Sequence, residues 1–188
     1  MKKYIAIVIT STILFASCSN NTHDGKEKLV AKGDRVYGGY LRISESDNYQ
    51  TLYPSAITDV ISAFIATQIN DGLVKLNTAT LKVEPSLAEK WDVDASGTKY
   101  TFHLKKGSMF QNDECYAGGK GREIKASDVK YSFELICSKG PDNQTFVSTF
   151  KDRILGANKA YDEGKGNVEG IKIIDDYTLE ISLVRPSI

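Results

Sequence analysis

Histidine is nearly absent from this chain: 188 residues hold two, His23 and His103. A Ser-His-Asp arrangement or a histidine-based metal site therefore has no material. Net charge is also missing. The 24 Lys and Arg balance 24 Asp and Glu, and no basic stripe gathers locally, so there is no field to attract nucleic acid. No apolar run reaches the ~20 residues that a membrane-spanning helix needs. The glycine-rich "AGGKGR" at 117–122 lacks the G-x-x-x-x-G-K-[ST] spacing of a phosphate loop, because Gly121 follows Lys120 where Ser or Thr is needed. Carboxylates are plentiful, but nothing selects one pair for acid-base work. The adjacent Asp175 and Asp176 read better as a turn with two solvated carboxylates than as a metal or acid-base pair. Nothing nominates an enzyme, a cofactor or a metal.

What is present is ordinary globular material, 41% hydrophobic and 26% charged, enough for one or two domains. The N-terminus stands apart. Met1, Lys2 and Lys3 are a positive start, residues 5–16 are apolar apart from Thr10, Ser11 and Thr12, and the small Ala16 and Ser17 precede Cys18. These are the parts of a secretion signal. After Cys18 the chain is polar and free of aromatics, as suits a flexible tether up to about residue 35. In an exported chain Cys115 and Cys137 leave two readings open: a disulfide closing a loop of roughly twenty residues, or two independent thiols.

Residues 38–46 alternate as a strand would, and a long polar loop follows, of a length that often carries function. Val60, Phe64, Ile65 and Ile69 recur at helical spacing, with Gly72 as the stop and a short strand at 73–76. Within "PSLAEKWDVDASGTKYTFHLKKG", Trp91 and Val93, then Tyr100, Phe102 and Leu104, alternate with polar residues around the turn-forming Asp94-Ala95-Ser96-Gly97. A period of two places all five on one face of a hairpin, and that face must pack on something to be stable. A helix is expected over 126–137 with Val129, Phe133, Ile136 and Cys137 on one side, and a short helix around 150–159. A second hairpin, "GIKIIDDYTLEISL", turns at Asp175-Asp176.

Two resemblances sharpen this reading. "FASC" resembles the lipobox of bacterial lipoproteins, in which the cysteine, here Cys18, takes a lipid and becomes the mature N-terminus; Phe15 stands where Leu is usual. Leu52-Tyr53-Pro54, "NDGLVKL", the whole "PSLAEKWDVDASGTKYTFHLKKGSMFQND" stretch, "REIKASDVKYSFELI" and "GNVEGIKIIDDYTLEISLVRP" resemble, in order, the family 5 extracellular solute-binding proteins. Those are peptide-, dipeptide- and nickel-type lipoproteins that feed ABC importers. Tyr53 departs from the acidic residue of the family's Leu-Asp-Pro, and Lys125 stands where a Thr often caps the helix, leaving Ser127 as the replacement cap.

The resemblance implies an α/β fold, periplasmic-binding-protein type II-like and incomplete: part of lobe I with its small accessory subdomain, a mixed or antiparallel sheet with flanking helices. The implied order is signal peptide 1–17, tether 18–35, root of lobe I 36–58, accessory subdomain 59–185, and 186–188 starting the return to lobe I. It implies capture of peptides or similar small solutes between two lobes, with Tyr53, Ser55, Ala56, Ile57 and Thr58 as the candidates to meet ligand. The implied partners are an ABC importer permease and, through lipid on Cys18, a bacterial membrane facing the periplasm or cell exterior; a monomer is expected. The alternative is a truncated residual lipoprotein with a structural role and no part in transport.

Overall fold

Two short strands begin the described part of the chain. The computed structural model describes residues 29–31, 35–37, 40, 42–164 and 167–186, so the signal peptide, Cys18 and residues 187–188 lie outside the described residues. In a first unit, Met1–Ser44, β1 (Leu29–Ala31) pairs antiparallel with β2 (Arg35–Tyr37), Leu29 opposite Tyr37. Strand pairing thus starts inside the expected tether, where β-forming Leu29-Val30 and Val36-Tyr37 flank the turn-forming types Gly33-Asp34. The strand expected at 38–46 is corrected as well: 42–45 carry no regular structure, and the alternating Ile43 is exposed.

The second unit, Glu45–Ile188, holds the rest. A single 3-10 turn, Pro54–Ala56, leads into α1 (Val60–Ile69), then the hairpin of β3 (Val74–Leu76) and β4 (Val83–Pro85). Next come β5 (Ala88–Val93) and β6 (Lys99–Leu104), then α2 (Ala126–Ile136), α3 (Phe146–Thr149) and α4 (Ala157–Glu163). Strands β7 (Ile171–Asp175) and β8 (Thr178–Ser182) end it. The four long strands form one antiparallel sheet in the order β5-β6-β8-β7, so the two hairpins join through β6 and β8, with Phe102 opposite Leu179.

Both hairpins form where their alternation predicts. Trp91 lies opposite Phe102 and Val93 opposite Tyr100, on a shared face, and Asp94 closes the turn by accepting from the Thr98 and Lys99 N–H groups at 3.1 and 3.0 Å. The face is graded along its length: Leu104 is buried and Phe102 packs on the core, whereas Val93 near the turn is exposed. The core gathers Leu104, Val129, Cys137, Phe146, Val168, Ile171, Leu179 and Ile181 between the sheet and α2 and α4. Ile171 and Leu179 are sealed from solvent, each contributing about 1.5–3 kcal/mol by burial. On α2 the expected inner face of Val129, Phe133, Ile136 and Cys137 does turn to the core. The helix expected at 150–159 is displaced into α3 and α4, because Asp152 and Gly156 between them adopt left-handed backbone at φ 58° and 77°.

Helix α1 runs where expected, but of its periodic apolar residues only Ile65 is half-buried and the other three face out. Its buried positions are the small Ser62 and Ala66, while Val60 is 85% exposed, and Phe64 and Ile69 are exposed as well. Helical periodicity locates such a stripe; it does not say which way the stripe points.

Candidate functional site

The five candidates, Tyr53 to Thr58, form one continuous bend. Pro54, pre-set in φ, opens the 3-10 turn, and the Ala56 N–H donates to the Tyr53 carbonyl at 2.9 Å. Tyr53 and Thr58 are exposed, Ala56 and Ile57 half-buried. Ser55 points inward, 5% exposed, with its hydroxyl donating to the Asp142 carbonyl at 3.0 Å. Its own carbonyl accepts from the Gln144 N–H at 2.8 Å. Asp142 and Gln144 are held in turn by Asn143, whose Nδ2 donates to the Ile136 and Ser138 carbonyls at the end of α2. Past the bend, Asp59 caps α1: its Oδ1 accepts from the Ser62 N–H at 2.7 Å, and bonds from Ser62 hold its carboxyl below the usual carboxylate range. Before the bend, the Ser62 hydroxyl accepts from the Gln50 and Thr51 N–H groups at 2.9 and 3.3 Å. Ser62, Asp142 and Gln144 were not among the sequence candidates. Periodicity carries no signal for a hydrogen bond that joins positions so far apart in the chain.

The concavities lie elsewhere. One cleft of about 330 Å³ opens between the end of α1 and α2, lined by apolar Leu73, Leu87, Phe110 and Phe133 with Asp71 and Asp128 at its rim. A shallower depression of about 580 Å³ is walled by Glu89, His103, Lys106, Asp175 and Asp176. Neither includes any of residues 53–58. Among the described residues no group of three or more His, Cys, Asp or Glu could hold a metal ion.

The charged groups near α2 are committed to structure. Lys125 donates to the Tyr177 hydroxyl, sits 4.1 Å over that ring, and lies 3.1 Å from Glu123 and 3.4 Å from Asp176; the Tyr177 bond chiefly raises its pKa. Tyr177 donates onward to Glu123, which also accepts from the Gly107 N–H. The cap of α2 is not Ser127. Asp128 accepts from the Lys125 N–H at 2.8 Å, half of a capping box whose other half a Lys side chain, having no acceptor, cannot make. Asp175 accepts from the Tyr177 N–H, as a turn residue does.

Of the two readings open for the cysteines, the structure has two separate free thiols, Cys115 on an exposed loop and Cys137 sealed in the core at the end of α2. Burial pushes the Cys137 thiol up to about 11, and a hydrogen bond with Asp113 raises that of Cys115. Neither carries the depressed pKa of a reactive cysteine.

Residues 82–187, which include the four-stranded sheet and α2, match the family model described as bacterial extracellular solute-binding proteins, family 5 Middle. The chain belongs to this family. Among family 5 relatives, the dipeptide-binding protein of Escherichia coli is 35% identical over 117 residues, covering 61% of this chain and 20% of that protein. The fold agrees with solved periplasmic binding proteins. A Borrelia burgdorferi periplasmic oligopeptide-binding protein superposes with TM-score 0.64 at 30% identity, over 73% of this chain and 26% of the other. Helicobacter pylori DppA, solved with the peptide STSA, gives 0.60 at 28%, over 74% and 26%. The chain thus spans a fifth to about a quarter of the length of these relatives and carries part of their α/β fold.

Proposed function

We propose that this chain is the lobe I portion of a substrate-binding lipoprotein that captures peptides for an ABC importer. Residues 36–58 form the root of that lobe, 59–185 its accessory subdomain, and 186–188 the start of the return. Cys18 carries the lipid that holds the protein on a bacterial membrane, facing the periplasm or exterior. Membership of family 5 carries the reading, and relatives named for dipeptides or solved with a peptide support it.

The division of labour is physical. The sheet, α2 and α4 are scaffold, packed tightly and holding their charges in internal pairs. The exposed bend at 53–58 is a wall that meets the ligand from one side, and a second lobe closes from the other. Contacts made to both sides at once favour the closed state. A peptide bound through its main chain needs hydrogen-bonding groups in the wall more than a shaped pocket.

The test is to purify the exported protein from its native membrane fraction, measure its intact mass, and titrate it calorimetrically with tri-alanine. Acyl chains on Cys18 and saturable peptide binding are expected. A free thiol at Cys18 removes the anchor, and no binding of short peptides removes the transport reading.

A further inference from the structure

Two polar side chains are buried among the described residues, Ser55 and Ser62. Both are spent on the same segment. Ser62, fully enclosed on the inner face of α1, accepts the Gln50 and Thr51 N–H groups with one hydroxyl. Ser55 ties the bend to residues 142–144 in two directions, donating to the Asp142 carbonyl and accepting from the Gln144 N–H. A buried hydroxyl without a partner carries its full desolvation penalty, so a serine at such a position is expected to be bonded. Here the hydroxyl bonds of Ser55 and Ser62 run to main chain of the loop or of the segment behind it, and from Ser62 also to the Asp59 carboxylate that caps α1. Helix α1 needs no serine on its inner face, and alanine has the better helix propensity.

The segment so held keeps main-chain groups in hand. The Leu52 and Thr58 N–H groups and the Ile57 carbonyl make none of the hydrogen bonds found among the described residues, and Leu52 and Thr58 are exposed. Ordering a loop at the moment of binding lowers affinity by the conformational entropy lost for each backbone residue fixed. A loop already fixed by internal bonds avoids that cost.

We propose that Ser55 and Ser62 are positioning residues, which hold residues 50–58 in advance so that the free main-chain groups of this wall meet an extended peptide backbone. Asn143 backs Ser55 by anchoring residues 142–144 to the end of α2. The proposal rests on the reading that the 53–58 wall meets the ligand.

The experiment compares Ser55→Ala and Ser62→Ala with the parent and with Ile154→Val, a core substitution remote from the segment in sequence that lowers stability comparably. Each is made in the exported protein purified from membranes. Amide exchange of residues 50–58 and of Gln144 is followed without ligand, then affinity for tri-alanine and the melting temperature. Both serine variants should exchange this segment at least about ten-fold faster while the sheet amides hold, and bind tri-alanine about ten-fold more weakly. Ile154→Val should shift the melting temperature and leave affinity alone. Unchanged exchange in both serine variants overturns the proposal. Faster exchange with undiminished affinity overturns the positioning role and shows that the wall does not meet the peptide. If the parent fails to bind tri-alanine, the peptide reading itself falls, while exchange, which needs no ligand, still decides whether the serines hold the segment.

Discussion

The sheet with α2 and the stretch from residue 50 to the end of α1 solve the same problem in opposite ways. In the first, large apolar side chains, Ile171, Leu179 and Val168, are sealed and polar groups are paired at the margin. In the second, the sealed side chains are two serines and an alanine, and Leu52, Val60, Phe64 and Ile69 stand exposed. One region is held by area removed from water, the other by a few directed hydrogen bonds. Burial gives stability without caring about direction; hydrogen bonds fix direction and add little net stability, about 1 kcal/mol each.

This contrast can be broken at its strong end. Leu179→Ala, at the centre of the sheet with 0% exposure, should cost about 3–5 kcal/mol in urea unfolding; a loss under about 1 kcal/mol would mean that the sheet is not the stabilising unit. The sealed state of the same region should show in thiol labelling. Cys115 should react with iodoacetamide under native conditions and Cys137 only on unfolding, since it is enclosed and its thiol is pushed up to about 11. Peptide mapping by mass spectrometry that finds Cys137 modified at the rate of Cys115 would place an opening within the core.

A smaller effect is expected where the core meets its polar margin. Arg122, with Oδ1 of Asp128 at 2.6 Å, is the main cause of the lowered Asp128 pKa, and the Lys125 N–H adds to it. Asp128→Ala should therefore cost about 1 kcal/mol at neutral pH. A folded-state pKa below the unfolded one gives stability that is whole above the ordinary carboxylate range and is lost as pH falls through the folded value. The difference between variant and parent should shrink as pH falls below the ordinary carboxylate range and the carboxylate is protonated, and denaturation midpoints across pH will show it. A gap independent of pH would remove the charge from the explanation. The smallest effect belongs to the other region. Phe64→Ala on the outer face of α1 should change the stability of this chain by less than about 0.5 kcal/mol, and a larger loss would mean that the face is covered.

The same contrast explains what could be read from the residues. The hairpins at 88–104 and 171–182 and helix α2 were legible because their apolar side chains recur at the period of the element and do face the core. Family 5 membership was legible through those same stretches. The outward turn of α1, the cap supplied by Asp128 and the separation of the two cysteines were not, since each depends on what lies across from the residue in space. The bend at 53–58 was singled out by its place before a helix, and the bonds that hold it were missed because Ser55 meets Asp142 only after the chain has folded back.

The pairing of β6 with β8 sets the order of events when the chain folds. Each outer hairpin joins neighbours and can form as soon as its own residues are available, but His103 must wait for Thr178. Until the last strand arrives, the β5-β6 hairpin lacks its neighbour and the apolar faces of both hairpins lack a core. Such a sheet completes late and slowly, because its central contact closes the longest loop. The apolar face of residues 88–104 thus stays uncovered until residues 178–182 have been made.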